Sequence, residues 1–307
     1  MTFASSPPPP HPPSSQARSW GAGWSAYLRL ARFDKPVGTL LLLWPTAWAL
    51  WLAAQGFPDP PRLLVFLLGV VLMRAAGCVL NDLADRRFDG AVKRTAHRVL
   101  AQGDLSVRAA AGFAVALLLL SAALLFFLNP LAIGVALLAV LTAAAYPFFK
   151  RFFPVPQAVL GVAFGFGIPM AFADTLNTLP VLAWLLWIAN ALWVLAYDTA
   201  YAMVDRDDDL QLSLKSSAIA FGDWDWAAVA CAQMGFLLLM LTLPLMAPLG
   251  GIYLISWLAA VLLSWMLLKR LRSRSREDAF WVFRQSHWVG AILWVGMAMD
   301  LALQALF

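Results

Sequence analysis

The chain has 307 residues, of which 62% are hydrophobic and 13% charged, with a formal net charge of +5. A soluble domain carries about 25% charged residues and roughly half apolar ones, so a water-soluble globular fold is excluded. Lipid around the outer faces of a helical bundle accommodates this much apolar side chain, and the charge-free stretch Phe113 to Leu128 has the character of a bilayer span.

Residues 1–24 are rich in Pro and Ser, with the run Pro7-Pro8-Pro9-Pro10, and lack the apolar core of a secretory signal. They read as a disordered cytoplasmic tail ahead of an integral membrane domain, 25–307. Nine apolar segments follow, near 37–55, 63–81, 109–128, 131–148, 157–173, 180–200, 226–246, 251–268 and 286–306. The fourth runs into Tyr146-Pro147, where the proline is expected to end the helix and start a bend. Cys78 and Cys231 both sit in apolar segments and read as small buried side chains. Most of the Trp and Phe residues read as lipid-facing or interfacial.

Basic residues alternate between connections. Arg29, Arg32 and Lys35, the loop from Arg86 to Arg108, Lys150-Arg151, Arg206 with Lys215, and Lys269 to Arg284 fall on one side, whereas the other side carries only Arg62. Nine spans place every basic-rich connection in the cytoplasm and the C-terminus outside. A bacterial inner membrane fits this pattern. No nucleic-acid partner and no obligate protein partner is indicated.

The second and sixth segments end in aspartate clusters. Along the second, Arg74, Asn81 and Asp85 fall within about 20° of one line on a helix, and Asp89 within about 60°. Along the sixth, Asp198, Asp205 and Asp209 share a stripe by the same geometry, with Asp207 and Asp208 beside them. Arg74 and Asp198 lie a turn or more inside apolar sequence. An ionisable group there costs at least about 2.5 kcal/mol on insertion scales, so each is expected to face the protein interior. Two carboxylate clusters repel unless something positive lies between them. Oxygen-only donors suit Mg²⁺ shared with substrate phosphates, and no Cys/His set favours zinc. Lys93, Arg94 and Arg98, with Tyr146, Lys150 and Arg151, ring the same interface as a diphosphate would require.

These residues carry a family resemblance. Asn81-Asp82-x-x-Asp85-x-x-x-Asp89 resembles the first Asp-rich motif of the UbiA superfamily, and Asp198-Thr-x-Tyr201-Ala-x-x-Asp205-x-x-Asp208-Asp209 resembles the second. Arg32-Phe-Asp34-Lys35-Pro36-x-Gly38, Leu-Trp44-Pro45-Thr46, Leu72-Met73-Arg74-Ala-Ala-Gly77-Cys78 and Asp89-Gly90-x-Val-Lys93-Arg94-Thr95 resemble its 4-hydroxybenzoate polyprenyltransferase branch. His97 and Val99 stand where that branch usually has Asn and Pro, and 210–217 follows its pattern loosely. The resemblance spans roughly residues 28–300. It implies an all-α bundle of nine transmembrane helices around a central cavity, open laterally for a lipid tail, acting on a polyprenyl diphosphate and 4-hydroxybenzoate. It also implies that Asn81, Asp85 and Asp89 hold one Mg²⁺ and that Asp198, Asp205 and Asp209 serve a second. Arg94, Lys150 and Arg151 would then grip the diphosphate, Arg74 with Asn81 would meet the acceptor's carboxylate, and Tyr146 and Tyr201 would line the substrate site. Asp85 and Asp205, with Lys150 and Arg151, are the expected catalytic residues, Asp205 as base. Two other readings exist: a prenyltransferase for another acceptor such as homogentisate or a dihydroxynaphthoate, and a transporter. Against transport, the acids gather at one face, and the two halves show no corresponding pair of broken segments.

Overall fold

The computed structural model describes residues 20–86, 95, 97–149, 152–211 and 214–304, and the described residues contain helices and no strands. The helices, in chain order, are α1 Trp20–Leu30, α2 Val37–Ala54, α3 Pro60–Asp85, α4 Val107–Leu124, α5 Pro130–Phe149, α6 Pro156–Phe164 and α7 Gly167–Leu176. They continue with α8 Val181–Gln211, α9 Ser217–Phe221, α10 Asp225–Leu241, α11 Gly251–Leu271, α12 Arg276–Gln285 and α13 His287–Gln304. Helix α1 begins inside the stretch expected to be a tail, and the proline run lies outside the described residues.

Among the described residues, eight helical stretches are long and apolar enough to cross a membrane. The apolar part of α5, Pro130–Tyr146, is shorter, and it supplies the remaining member of the nine expected segments. Three local expectations change. Helix α5 continues through Pro147 to Phe149, because a proline this close to a helix end disturbs only the final turn. The fifth segment is divided at Gly165–Phe166 into α6 and α7. The Trp187 indole fills the space a Cβ of Gly165 would need, and its Nε1 donates to Val162 O at 3.2 Å, a carbonyl beside the break. Cys231 is exposed on the outer face of α10, while Cys78 is buried as expected.

Two helices organise the bundle. Helix α8, of 31 residues, packs against α6, α10 and α12, and α2 packs against α3, α7 and α13. Gly161 lets α6 approach the α8 backbone, since a Cβ there would stand 2.8 Å from Ala191 O. Between α2, α8, α10 and α13 lies an aromatic core. Trp48 and Trp193 are fully buried with centroids 5.3 Å apart, Phe236 stacks on both, and Trp44 and Trp51 pack on Trp294. These rings form the interior, while most of the other described Trp and Phe residues stay partly or well exposed, as expected. The lipid role falls to residues such as Leu119, Phe126, Leu141, Ile255 and Trp265, all well exposed.

Buried charges are paired or capped. Arg62, the basic residue of the sparse side, donates to Asp174 at 2.5 Å, and Asp174 also accepts the Asn129 backbone N–H at 3.0 Å. Asp300 accepts from the N–H groups of Gly250 and Tyr253 at 2.7 and 2.8 Å, capping α11 from the last helix. Asp225, fully buried, takes Arg206 from α8 and Arg274 from the α11–α12 turn, the latter at 2.8 Å. Removing one partner of a buried pair leaves an uncompensated charge. Asp174→Ala is therefore expected to cost about 3 kcal/mol of stability, read as a lower unfolding temperature in detergent with turnover per folded molecule preserved.

Candidate active site at the helix ends

Helix α3 is continuous from Pro60 to Asp85, so Arg74, Cys78, Asn81, Asp82 and Asp85 occupy successive turns of one region. Asn81 Nδ2 donates to Asp85 Oδ2 at 3.0 Å, which puts these two side chains side by side as the helical phase predicts. Their neighbour Asp82 has a different job. It is 1% exposed and receives Arg32, whose Nη2 lies 3.0 Å from both carboxylate oxygens, and Arg98, whose Nη1 lies 3.1 Å from Oδ1. Arg32 sits in the left-handed region at φ 61°, in the turn between α1 and α2. Asp82 thus ties that turn and the segment after α3 to the motif helix. Arg98, expected in the diphosphate ring, is engaged here instead, because a carboxylate this buried requires compensation.

Arg74 lies across α2 at Gly38. A Cβ at Gly38 would fall inside the Arg74 guanidinium, so only glycine leaves the side chain its present course. Among the described residues no hydrogen bond or ion pair reaches this guanidinium. Cys78 and the hydroxyl of Tyr197 both lie within its electrostatic reach. A partly buried cation inside an apolar segment with no anion beside it is poised for an anionic ligand.

The second cluster rides on α8. Tyr197, Asp198, Tyr201, Asp205, Asp208 and Asp209 lie on its last turns, and the helix stays unbroken through Gln211. Tyr201 packs on Phe283 at 4.5 Å and on Phe280 at 6.4 Å between centroids, so α12 lies over this end of α8. The Asp205 side chain is 13% exposed. Arg276 of α12 reaches Asp208 Oδ2 at 2.9 Å and comes within 3.9 Å of Asp205 Oδ1.

Tyr146, near the end of α5, connects the two clusters. Its phenol is within the field of Asp198, Asp85 and Asp209, and so feels carboxylates from both α3 and α8. Tyr197 feels Asp198, Arg74 and Tyr146, and its buried hydroxyl makes no hydrogen bond among the described residues. Tyr146 thus lies within electrostatic range of carboxylates from both stripes. Asp89, Arg94, Lys150 and Arg151 lie outside the described residues. Among the described residues no three His, Cys, Asp or Glu side chains converge into a ready-made metal cage. What the described residues offer is hard oxygen donors on two different helices. That fits Mg²⁺, which takes the rest of its shell from water and substrate phosphate, better than a metal needing a full protein cage.

Two participants escaped the sequence reading. Tyr197 precedes the motif aspartate and carries no pattern of its own. Arg276 looked like one more cytoplasmic anchor, although a cation in the first turn of a helix opposes the helix dipole and could have signalled a specific partner.

A profile described as the UbiA prenyltransferase family matches residues 42–294. The chain belongs to the UbiA prenyltransferase family. Among UbiA relatives, it is 52% identical over 275 residues to the 4-hydroxybenzoate octaprenyltransferase of Aeromonas hydrophila subsp. hydrophila, covering 90% of this chain and 96% of that protein. It is 50% identical to the protein of the same name from Ralstonia nicotianae, covering 91% and 96%. The apo structure of a UbiA homolog from Aeropyrum pernix K1 superposes with a TM-score of 0.75 at 26% identity, covering 85% of this chain and 97% of that one. A UbiA homolog from Archaeoglobus fulgidus, solved with GPP and Mg²⁺, has the same fold at a TM-score of 0.64 and 20% identity, covering 87% and 99%.

Gly38→Ala pushes a methyl group into the Arg74 guanidinium. Overpacking of this kind costs about 1–3 kcal/mol. The substitution is expected to weaken use of the aromatic acceptor by roughly tenfold in kcat/KM, with the prenyl-donor KM little changed, measured on purified protein with each substrate varied in turn.

Proposed function

We propose that this UbiA-family chain transfers a polyprenyl group from an allylic polyprenyl diphosphate to the ring carbon of 4-hydroxybenzoate ortho to its hydroxyl, a step of ubiquinone biosynthesis. The observation that carries this reading is Arg74, a cation with no ion pair among the described residues, on the same helix as the Asn81–Asp85 pair and within reach of Tyr197. A carboxylated ring supplies the missing anion. Relatives named for this reaction, about half identical over nine-tenths of the chain, support the same reading.

In this mechanism Asn81, Asp85 and Asp89 hold one Mg²⁺ and Asp198, Asp205 and Asp209 serve the second, in line with the homolog solved with GPP and Mg²⁺. When bound, the metals supply Lewis-acid neutralisation of the diphosphate leaving group. Arg94, Lys150 and Arg151 grip the same group, and Tyr146 borders it between the two helices. The allylic C–O bond breaks as negative charge collects on the diphosphate. Water must be excluded from the electron-poor carbon, and the buried aromatic core around Trp48, Trp193 and Phe236 is the dry, π-rich region of the bundle. The aromatic ring, oriented by Arg74 with Asn81, attacks that carbon. Asp205 accepts the proton released as the ring regains aromaticity. Asp82, clamped by Arg32 and Arg98, takes no part in the chemistry and fixes the register of the residues beside it.

The distribution of basic connections supports a cytoplasmic N-terminus, a periplasmic C-terminus and a diphosphate site at the inner leaflet of a bacterial inner membrane. The soluble acid and the charged headgroup of the donor then both reach the site from the cytoplasm.

Membranes carrying Asp85→Ala or Asp205→Ala are expected to lose at least about 100-fold in turnover, and EDTA should silence the unaltered protein until Mg²⁺ is restored. Near-normal product in either variant, or activity that persists with chelator, would overturn the metal-assisted step. Arg74→Leu should lower acceptor kcat/KM by roughly tenfold or more while sparing donor binding. Supplying homogentisate and a dihydroxynaphthoate beside 4-hydroxybenzoate, each with one labelled prenyl diphosphate, tests the acceptor. Preference for either rival over 4-hydroxybenzoate would overturn the acceptor assignment.

A further inference from the structure

The second aspartate cluster presents a selectivity problem of its own. Asp205 and Asp208 are three residues apart on α8 and so lie on adjacent turns of one face. Their side chains are only 13% and 19% exposed. A close pair of half-buried carboxylates invites a divalent cation to bind between them, away from the substrate. Arg276 stands at that point. Its Nη2 is 2.9 Å from Asp208 Oδ2 and 3.9 Å from Asp205 Oδ1.

Arg276 occupies an unfavourable place for an ordinary surface cation. It is the first residue of α12, directly after the cap Ser275, whose side chain accepts the Asp278 N–H at 3.1 Å. The amino end of a helix carries partial positive charge, and acids are favoured there. Glu277 and Asp278 follow that preference and Arg276 does not.

Its position is also tightly determined. Two residues earlier, Arg274 adopts φ 53° and pairs with buried Asp225, which also holds Arg206, the neighbour of Asp205. On the other side, Arg270 lies 4.1 Å over the Trp281 ring and donates to Asp278 at 2.6 Å. Phe283 seals α12 onto Tyr201. The start of α12 is thus fastened to α8 through a second path that passes one residue from the expected base.

We infer that Arg276 is a positioning residue that keeps Asp208 out of the metal set. By serving as its built-in counter-ion, Arg276 leaves Asp205 to act with the diphosphate-bound metal. The cation does this without touching substrate. This assignment rests on the proposed metal–diphosphate chemistry, and it extends that chemistry by saying why five aspartates between 198 and 209 do not trap an idle ion.

The test compares unaltered full-length protein in detergent with Arg276→Gln, Arg276→Lys and the double variant Arg276→Gln/Asp208→Asn. Mn²⁺ binding is followed by electron paramagnetic resonance without substrate, and prenyl transfer is assayed in parallel. Removing one positive charge beside a divalent site should tighten substrate-free Mn²⁺ binding by roughly fivefold or more, while kcat falls. Adding Asp208→Asn should abolish the extra affinity, and Arg276→Lys should retain most of the original behaviour. A merely structural role predicts the opposite sign, weaker metal binding with loss of folded protein. Unchanged or weaker Mn²⁺ binding in Arg276→Gln, or extra affinity that survives Asp208→Asn, would overturn the inference. Failure of the underlying mechanism is distinguishable, because it shows as metal-independent turnover in the unaltered protein.

Discussion

An ionised side chain in hydrocarbon must find a counter-charge or a hydrogen-bonding partner, and that requirement orders this molecule from end to end. Arg62 turns to Asp174, Arg32 and Arg98 to Asp82, Arg206 and Arg274 to Asp225, while Asp300 turns to the open amino end of α11. Each pairing joins elements distant in sequence, so the same charges that satisfy the bilayer's demand also set helix register. Against this background Arg74 stands out. It lies in an equally costly environment, yet its guanidinium rests on the bare backbone of Gly38. Among the described residues it is the buried-segment cation with no counter-ion, and the proposed acceptor assignment builds on that.

The rest of the site follows from dividing its acids between two helices. One helix cannot hold both clusters close to a common anion, because successive turns move away along the axis by about 5.4 Å. Two helices facing each other can, provided their mutual repulsion is relieved by what lies between. Tyr146 occupies the boundary, feeling Asp85 from one wall and Asp198 and Asp209 from the other. The site is therefore incomplete as a metal cage and suited to being completed by substrate.

The helical content and most of the apolar segments were legible in the sequence, eight of the described helical stretches being long enough to span a bilayer, because hydrophobic length is a local property. Asn81 and Asp85 meet as their spacing demands. Other features depend on packing between distant segments. Asp82 and Asp85 share a motif, but only the approach of Arg32 from one turn and Arg98 from another separates clamp from ligand. The break at Gly165–Phe166 reflects Trp187 arriving from α8, which no pattern near residue 165 announces. Tyr146-Pro147 lies in the last turn of α5, which ends at Phe149, so the proline marked that boundary to within a few residues. The tryptophans could not be sorted into core and lipid face by composition, since both environments favour them.

The bond from Asp300 back to the start of α11 bears on the order of assembly. While the chain is being synthesised, α11 enters the bilayer with the N–H groups of Gly250 and Tyr253 lacking their eventual acceptor, some fifty residues away. That end of the helix can rest only in the hydrated headgroup layer until α13 has been made and inserted. Helix α13 is thus a clasp on its predecessor that can close only after both helices have been made.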